Sequence, residues 1–321
     1  MLKLAHHITT VVRTIIQAAP RIRQYELADP DDWELPGFTA GAHIDVRLAN
    51  GMVRTYSLCG DAAESNRYRI AVLREPSGRG GSDFVHDQLR EGDLLPVSLP
   101  RNHFPLAPDA LRHTMIAGGI GITPFLPMIN ALRRDHRAFA LHYCVRTIEE
   151  AAFVAQLHRC CPPGSLHLYC SRQPKATKLD LAVLLGGPPD GEHVYCCGPS
   201  RLIDAVWSLS RDRDPNTVHI ERFGAIDRGM PAGHGRELIV ELRRSGREIR
   251  VWPQETILQA LRNADVPIDS SCEAGVCTSC KVRYLAGAPV HRDLVLTAED
   301  RRQFMLPCVS GCADSRLILD L

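Results

Sequence analysis

The chain has 321 residues, 45% of them apolar, and its 38 basic and 37 acidic side chains leave a formal charge of +1. At roughly 100–200 residues per domain this length implies two or three domains, and so even a charge balance argues against a protein built to hold nucleic acid or an anionic membrane. No apolar run approaches the ~20 residues of a membrane-spanning helix.

Polar residues enter the opening Met1-Leu-Lys-Leu-Ala-His-His too early for the apolar centre of a signal peptide, so the chain is expected in the cytoplasm. Residues 1–107 read as mostly β, with turn signals at Ala40-Gly41, Asn50-Gly51, Pro76-Ser-Gly78 and Glu91-Gly-Asp93. Residues 42–48 alternate, which puts Ile44, Val46 and Leu48 on one face. Regular short strands of this kind suggest a barrel or a sandwich. Arg54-Thr55-Tyr56-Ser57-Leu58 ends one such strand; an arginine can hold a phosphate and a tyrosine can pack on a flat ring. Gly78-Arg79-Gly80-Gly81-Ser82 then precedes a short helical stretch, 83–89, and is either a phosphate cradle at a helix start or a surface turn. Together, ahead of a nucleotide domain, the two motifs point to a flavin.

Residues 108–224 change rhythm. Strand-like runs at 114–117, 138–145, 166–170 and 193–197 alternate with helical stretches near 124–134, 150–158 and 200–209, the pattern of a doubly wound parallel sheet. The first run leads into Gly118-Gly119-Ile120-Gly121-Ile122-Thr123-Pro124, a strand–turn–helix start suited to a pyrophosphate although it departs from the strict G-x-G-x-x-G spacing. The last leads into Cys197-Gly198-Pro199. In a parallel sheet both turns lie at the carboxyl edge, where ligands bind; Cys197 could face a nicotinamide ring or be a buried strand thiol. Arg146 and Arg172 follow two of the strands, as contacts for a 2′-phosphate or as solvated loop residues.

Residues 225–236 have linker composition, with three glycines and a proline and no periodicity. In 237–321, alternating Leu238, Val240 and Leu242 precede a helix near 256–264 with Ile257, Leu258, Leu261 and Ala264 inward, then a cysteine loop, then Leu317, Leu319 and Leu321 at strand spacing. Of twelve cysteines, Cys272, Cys277 and Cys280 form C-x4-C-x2-C and Cys308 follows at a distance, the spacing of a plant-type [2Fe–2S] cluster. Each iron needs two thiolates beside the bridging sulfides; a tight loop wraps most of the cluster and the last corner comes from elsewhere. Structural zinc would usually bring a second C-x2-C knuckle, which this stretch lacks. Cys312 is the rival fourth ligand; Cys308 is preferred because it follows an apolar approach, whereas Cys312 lies past Ser310-Gly311 in an expected turn. Most other cysteines sit in apolar strands as small hydrophobes.

These motifs in this order resemble the phthalate dioxygenase reductase family, which includes vanillate O-demethylase reductases, over essentially the whole length. The matching landmarks are Arg54-Thr-Tyr-Ser57, Gly78-Arg-Gly-Gly-Ser82, Gly118-Gly-Ile-Gly-Ile-Thr-Pro124, Cys197-Gly-Pro199, Glu221-Arg-Phe-Gly224 and the four cluster cysteines. The resemblance implies a multidomain protein: a β-barrel flavin domain, an α/β doubly wound nucleotide domain and an α+β plant-type ferredoxin domain. It implies FMN, NADH and [2Fe–2S] as cofactors and a Rieske-type oxygenase component as partner, for a chain expected to be a monomer. Arg54, Thr55, Tyr56 and Ser57 would hold the flavin, with Gly80, Gly81 and Ser82 near its phosphate. Gly118, Gly119, Gly121, Thr123, Cys197, Gly198 and Pro199 would face the nicotinamide nucleotide, and Phe223 would approach the flavin ring. Ser57, Thr123 and Cys197 are the residues expected beside the reacting atoms. A nicotinamide releases two electrons together and the cluster takes one at a time, so a flavin must stand between them. The alternative is a stand-alone NAD(P)H flavin or quinone reductase.

Overall fold

A computed structural model describes residues 7–223 and 237–321, except 77, 79, 175, 188–189, 254, 271–274, 276–277 and 294. The chain divides into two compact units, Met1–Phe223 and Gly224–Leu321. The segment read as a linker, 225–236, lies outside the described residues.

The first unit opens with β1 (His7–Ala19), β2 (Ile22–Ala28), β3 (Ala42–Arg47), β4 (Val53–Ser57) and β5 (Tyr68–Leu73), then helix α1 (Gly81–Gln88), β6 (Leu94–Ser98) and the short β7 (Arg101–Asn102). The strands pair antiparallel in the order β4-β3-β6-β1-β2-β5, with β7 on β3. Leu58, just past β4, bridges to Ile70 in β5, so the two ends of the sheet meet. Val12, Tyr25, Leu27, Ile44, Val46, Ile70 and Val97 fill the space enclosed. The alternation of residues 42–48 puts Ile44, Val46 and Leu48 in that core as expected, yet His43 and Asp45 on the other side are buried as well. Asp45 is accommodated there because Thr55 Oγ1 donates to its carboxylate at 2.8 Å and Arg101 pairs with it.

The rest of the unit alternates strand and helix: β8 (Arg112–Gly118), α2 (Phe125–Arg134), β9 (Ala138–Val145), α3 (Val154–Cys160), β10 (Leu166–Cys170), α4 (Leu181–Leu185), β11 (Glu192–Gly198), α5 (Ser200–Leu209) and β12 (Val218–Arg222). All five strands run parallel in the order β10-β9-β8-β11-β12. Side chains alternate across this sheet: Met115 and Ala117 pack with α2 and α3, while Ile116 packs with α4 and α5. The first of these cores also takes in Ala19, Ile22, Ala40, Cys59, Ala71 and Phe104 from the antiparallel part. Phe104 meets Phe125 and Tyr195 edge-on, and the Tyr195 hydroxyl accepts the Ala107 N–H at 2.8 Å. One continuous apolar interior therefore spans residue 107, which explains why both segments fall in a single unit.

The second unit holds β13 (Leu238–Leu242), β14 (Arg247–Val251), α6 (Ile257–Asn263), β15 (Val282–Ala286), β16 (Pro289–Val290), β17 (Phe304–Met305), β18 (Gly311–Cys312) and β19 (Arg316–Leu319). The main sheet has the order β14-β13-β19-β15-β17, with β19 parallel to β13. α6 begins in a capping box formed by Thr256 and Gln259. It buries Ile257, Leu258 and Leu261 as expected, and Ala260 besides. Among the described residues no helix is long and apolar enough to cross a membrane.

Candidate functional site

The residues predicted to hold a flavin phosphate meet at the start of α1. Gly80 caps the helix at φ +76°, a conformation that favours glycine. Arg54, reaching over from β4, lies so close to the helix that a methyl group on Gly81 would sit 2.2 Å from its Nε. With glycine at 81 the guanidinium lies against the helix start, and the pairing of a cation with a helix N-terminus fits a phosphate dianion. Tyr56 is half-buried on the same strand, and burial pushes its phenol up. Thr55 Oγ1 also donates to Asp45 at 2.8 Å, and the Ser82 hydroxyl accepts the Glu75 N–H at 3.0 Å, a bond that does not use its own O–H.

The two glycine turns of the parallel sheet adjoin because β8 and β11 are neighbours. A methyl group on Gly121 would lie 2.3 Å from the Cys197 carbonyl oxygen, and one on Gly118 would lie 2.6 Å from Pro199 Cδ. The backbones therefore nest at the carboxyl edge, where a dinucleotide is expected to approach. Thr123 is buried and spends its hydroxyl on its own turn, donating to Ile120 O at 3.1 Å.

Ser57 and Cys197 come from different sheets and meet on a residue to which no role was assigned. Ser57 Oγ donates to Glu221 Oε2 at 3.3 Å, and Cys197 Sγ donates to the same oxygen at 3.9 Å. Burial pushes the Glu221 carboxyl up to about 8, against the lowering effect of these two bonds. Burial also pushes the Cys197 thiol well up, with the Glu221 charge acting in the same direction. Near neutral pH the knot is thus a thiol, a hydroxyl and a carboxylic acid, and holds no thiolate. Phe223 follows Glu221 by two residues and exposes 39% of its surface. In sequence, Glu221 was visible only as the first residue of the Glu221-Arg-Phe-Gly224 landmark.

In the second unit Cys272 and Cys277 lie outside the described residues. Cys280 and Cys308 are both buried in one small apolar cluster with Leu258, Leu296 and Leu306. Cys312 belongs instead to the main core of the unit, and its thiol donates to Arg316 O at 3.8 Å. Two buried thiols in one apolar cluster, beside a loop that passes Gly275 at φ +74° and Thr278 at φ +56°, fit the last corners of an iron–sulfur site.

Comparison with known proteins agrees with this division. The family model of an oxidoreductase NAD-binding domain matches residues 115–207, and that of a 2Fe-2S iron-sulfur cluster binding domain matches residues 240–312. Phthalate dioxygenase reductase of Burkholderia cepacia is 40% identical over 301 residues, covering 94% of this chain and 93% of its own. The chain belongs to the phthalate dioxygenase reductase family. Another relative, vanillate O-demethylase oxidoreductase of a Pseudomonas species, is 36% identical over 319 residues, 98% of this chain and 100% of its own. A solved structure of phthalate dioxygenase reductase, described as modular for electron transfer from pyridine nucleotides to [2Fe-2S], matches at a TM-score of 0.79 and 38% identity, with 98% of both chains covered. This member is an NADH-dependent iron–sulfur flavoprotein oxidoreductase with an NAD-binding domain and a [2Fe–2S] cluster binding domain.

Proposed function

We propose that the protein passes electrons from NADH through FMN to the [2Fe–2S] cluster and on to a Rieske-type aromatic-ring oxygenase or demethylase component. The observation that carries this reading is the Ser57–Glu221–Cys197 knot, which joins the end of the flavin motif to the nicotinamide turn. We assign residues 1–107 to a β-barrel flavin domain, 108–224 to a doubly wound NAD domain, 225–236 to a linker and 237–321 to a plant-type ferredoxin domain. We further propose a cytoplasmic monomer, since twelve cysteines are best kept reduced in that compartment.

When bound, the flavin accepts two electrons and releases them singly. Arg54 and the α1 start would hold its phosphate, and Tyr56 and Phe223 would flank its ring. The turns at 118–121 and 197–199 would take the nucleotide, with the backbones at Gly121 and Gly198 too close for a larger residue. Glu221 keeps Ser57 and Cys197 in place, each with its proton directed at one oxygen. Cys280 and Cys308, with Cys272 and Cys277, would ligate the cluster.

The direct test is reconstitution: NADH, this protein and a Rieske oxygenase component should turn over the oxygenase substrate. Turnover with free quinones or flavins exceeding that with every oxygenase tried would favour the stand-alone reductase instead.

Arg54→Ala should weaken FMN retention ten- to a hundredfold, about 1.5–3 kcal/mol for a lost charge-assisted contact, as read by flavin released on gel filtration. Mass spectrometry of the released flavin should give FMN; FAD would contradict the single cradle.

Arg146 and Arg172 are both exposed after β9 and β10, linked by Arg172 N–H donating to Arg146 O at 2.8 Å. NADH should nevertheless give the higher kcat/KM, and Arg172→Ala should change the NADH/NADPH ratio little. If NADPH wins and the alanine variant loses that advantage, Arg172 is a 2′-phosphate clamp.

A further inference from the structure

We infer that Asp293 is a positioning residue of the [2Fe–2S] site, a buried carboxylate that braces the cluster loop and biases the cluster against reduction. The inference rests on the cluster reading above.

Three stretches of the second unit converge on one point. A methyl group on Gly275, midway between Cys272 and Cys277, would lie 2.7 Å from Val309 Cγ2 and 3.2 Å from Asp293 Cα. Gly275, Val309 (the residue after the fourth ligand) and the backbone of Asp293 are therefore in contact. The Asp293 side chain has 0% exposure. Its Oδ1 accepts the Leu296 N–H at 2.8 Å, and Leu296 packs in the same apolar cluster as Cys280 and Cys308. The carboxylate thus fixes the turn that carries Leu296 into the apolar cluster of two ligands.

Its compensation is lopsided. Arg301 Nη2 donates to Asp293 O at 2.9 Å and reaches Oδ1 at 3.3 Å, while the Arg301 side chain is 39% exposed. Oδ2 has no hydrogen-bond partner among the described residues; His291 Nδ1, at 3.7 Å, is the nearby polar group, and burial lowers the affinity of that imidazole for a proton. A carboxylate kept from water is costly in a core unless its charge is paired. With a cluster held by Cys280 and Cys308, an anionic Asp293 joined through Leu296 to the same apolar cluster would oppose the negative charge gained on reduction, and local charge is one of the determinants of cluster potential.

The test uses the full-length holoprotein and EPR-monitored redox titration, after iron and sulfide analysis. Asp293→Asn keeps the shape and an acceptor for Leu296 but removes the charge. It should raise the cluster potential by about tenfold in the reduced/oxidised ratio, ~59 mV for one electron, with altered g-values. Arg301→Gln should lower it. Should Asp293→Asn fail to retain the cluster, the shift in Arg301→Gln decides alone. Potentials that stay put, or that move the same way in both variants, overturn the inference. Wild-type protein without two irons and two sulfides would overturn the cluster reading itself, which separates the two failures.

Discussion

Changing Cys308 to serine is expected to abolish the visible and EPR signals of the cluster and to cut NADH-driven reduction of a one-electron protein acceptor at least ~100-fold, ~2.7 kcal/mol on the barrier. Cys280→Ser should do the same. Both thiols sit in the small apolar cluster with Leu306 and Leu296, and a serine hydroxyl there is a harder, weaker ligand than a thiolate. Turnover of NADH with ferricyanide, which draws on the flavin, should survive in both variants, because the residues assigned to FMN and NADH lie in the other unit. Cys312→Ser is the control. Its thiol already has an acceptor in Arg316 O and packs in the main core, so the spectrum should be unchanged. Cluster loss in Cys312→Ser with retention in Cys308→Ser would reverse the ligand assignment.

The features legible in the sequence were those encoded locally. C-x4-C-x2-C is a spacing, the glycine turns are short strings, and the strands at 138–145 and 166–170 are unbroken runs that β9 and β10 reproduce. Local irregularity already blurred one boundary. The helix expected from 150 begins only at Val154, because Ile148–Glu150 forms a 3-10 turn and Phe153 takes φ +64°. β12 escaped notice because its sequence, Val-His-Ile-Glu-Arg, is half polar, as an edge strand can be. The partners of the motif residues were not legible at all. Glu221 stands 164 residues from Ser57 and 24 from Cys197, and no periodicity relates the three. Thr55, Ser82 and Thr123 stand in the motifs proposed to hold the cofactors, and the structure gives their hydroxyls the partners Asp45, Glu75 and Ile120. Membership of a motif fixes where the backbone goes; the direction of each side chain depends on what packs beside it.

Glu221 should therefore affect NADH oxidation more than its absence from the motifs suggests. Glu221→Ala leaves the Ser57 hydroxyl and the Cys197 thiol without their shared acceptor. The expected loss in ferricyanide-coupled kcat is about 10- to 100-fold, ~1.4–2.7 kcal/mol, with FMN content and cluster spectrum intact. The pH dependence follows from the carboxyl being raised to about 8. A carboxyl whose pKa is higher folded than unfolded contributes stability that is complete below its ordinary value near 4.5 and is lost as pH rises through about 8. Wild-type protein should accordingly lose denaturant stability between pH 6 and 9 through this group. Its turnover should fall over the alkaline half of that range, since an ionised Glu221 would oppose the arrival of electrons at the flavin site proposed beside Ser57. Glu221→Gln, which stays neutral and keeps an acceptor oxygen for Ser57, should flatten both profiles while retaining most of the activity at pH 6. If wild type and Glu221→Gln show the same profiles from pH 6 to 9, the carboxyl does not titrate there and the link between its ionisation and electron transfer fails. If Glu221→Gln is as slow as Glu221→Ala at pH 6, the acidic proton itself is needed, and the acceptor geometry alone does not account for the rate.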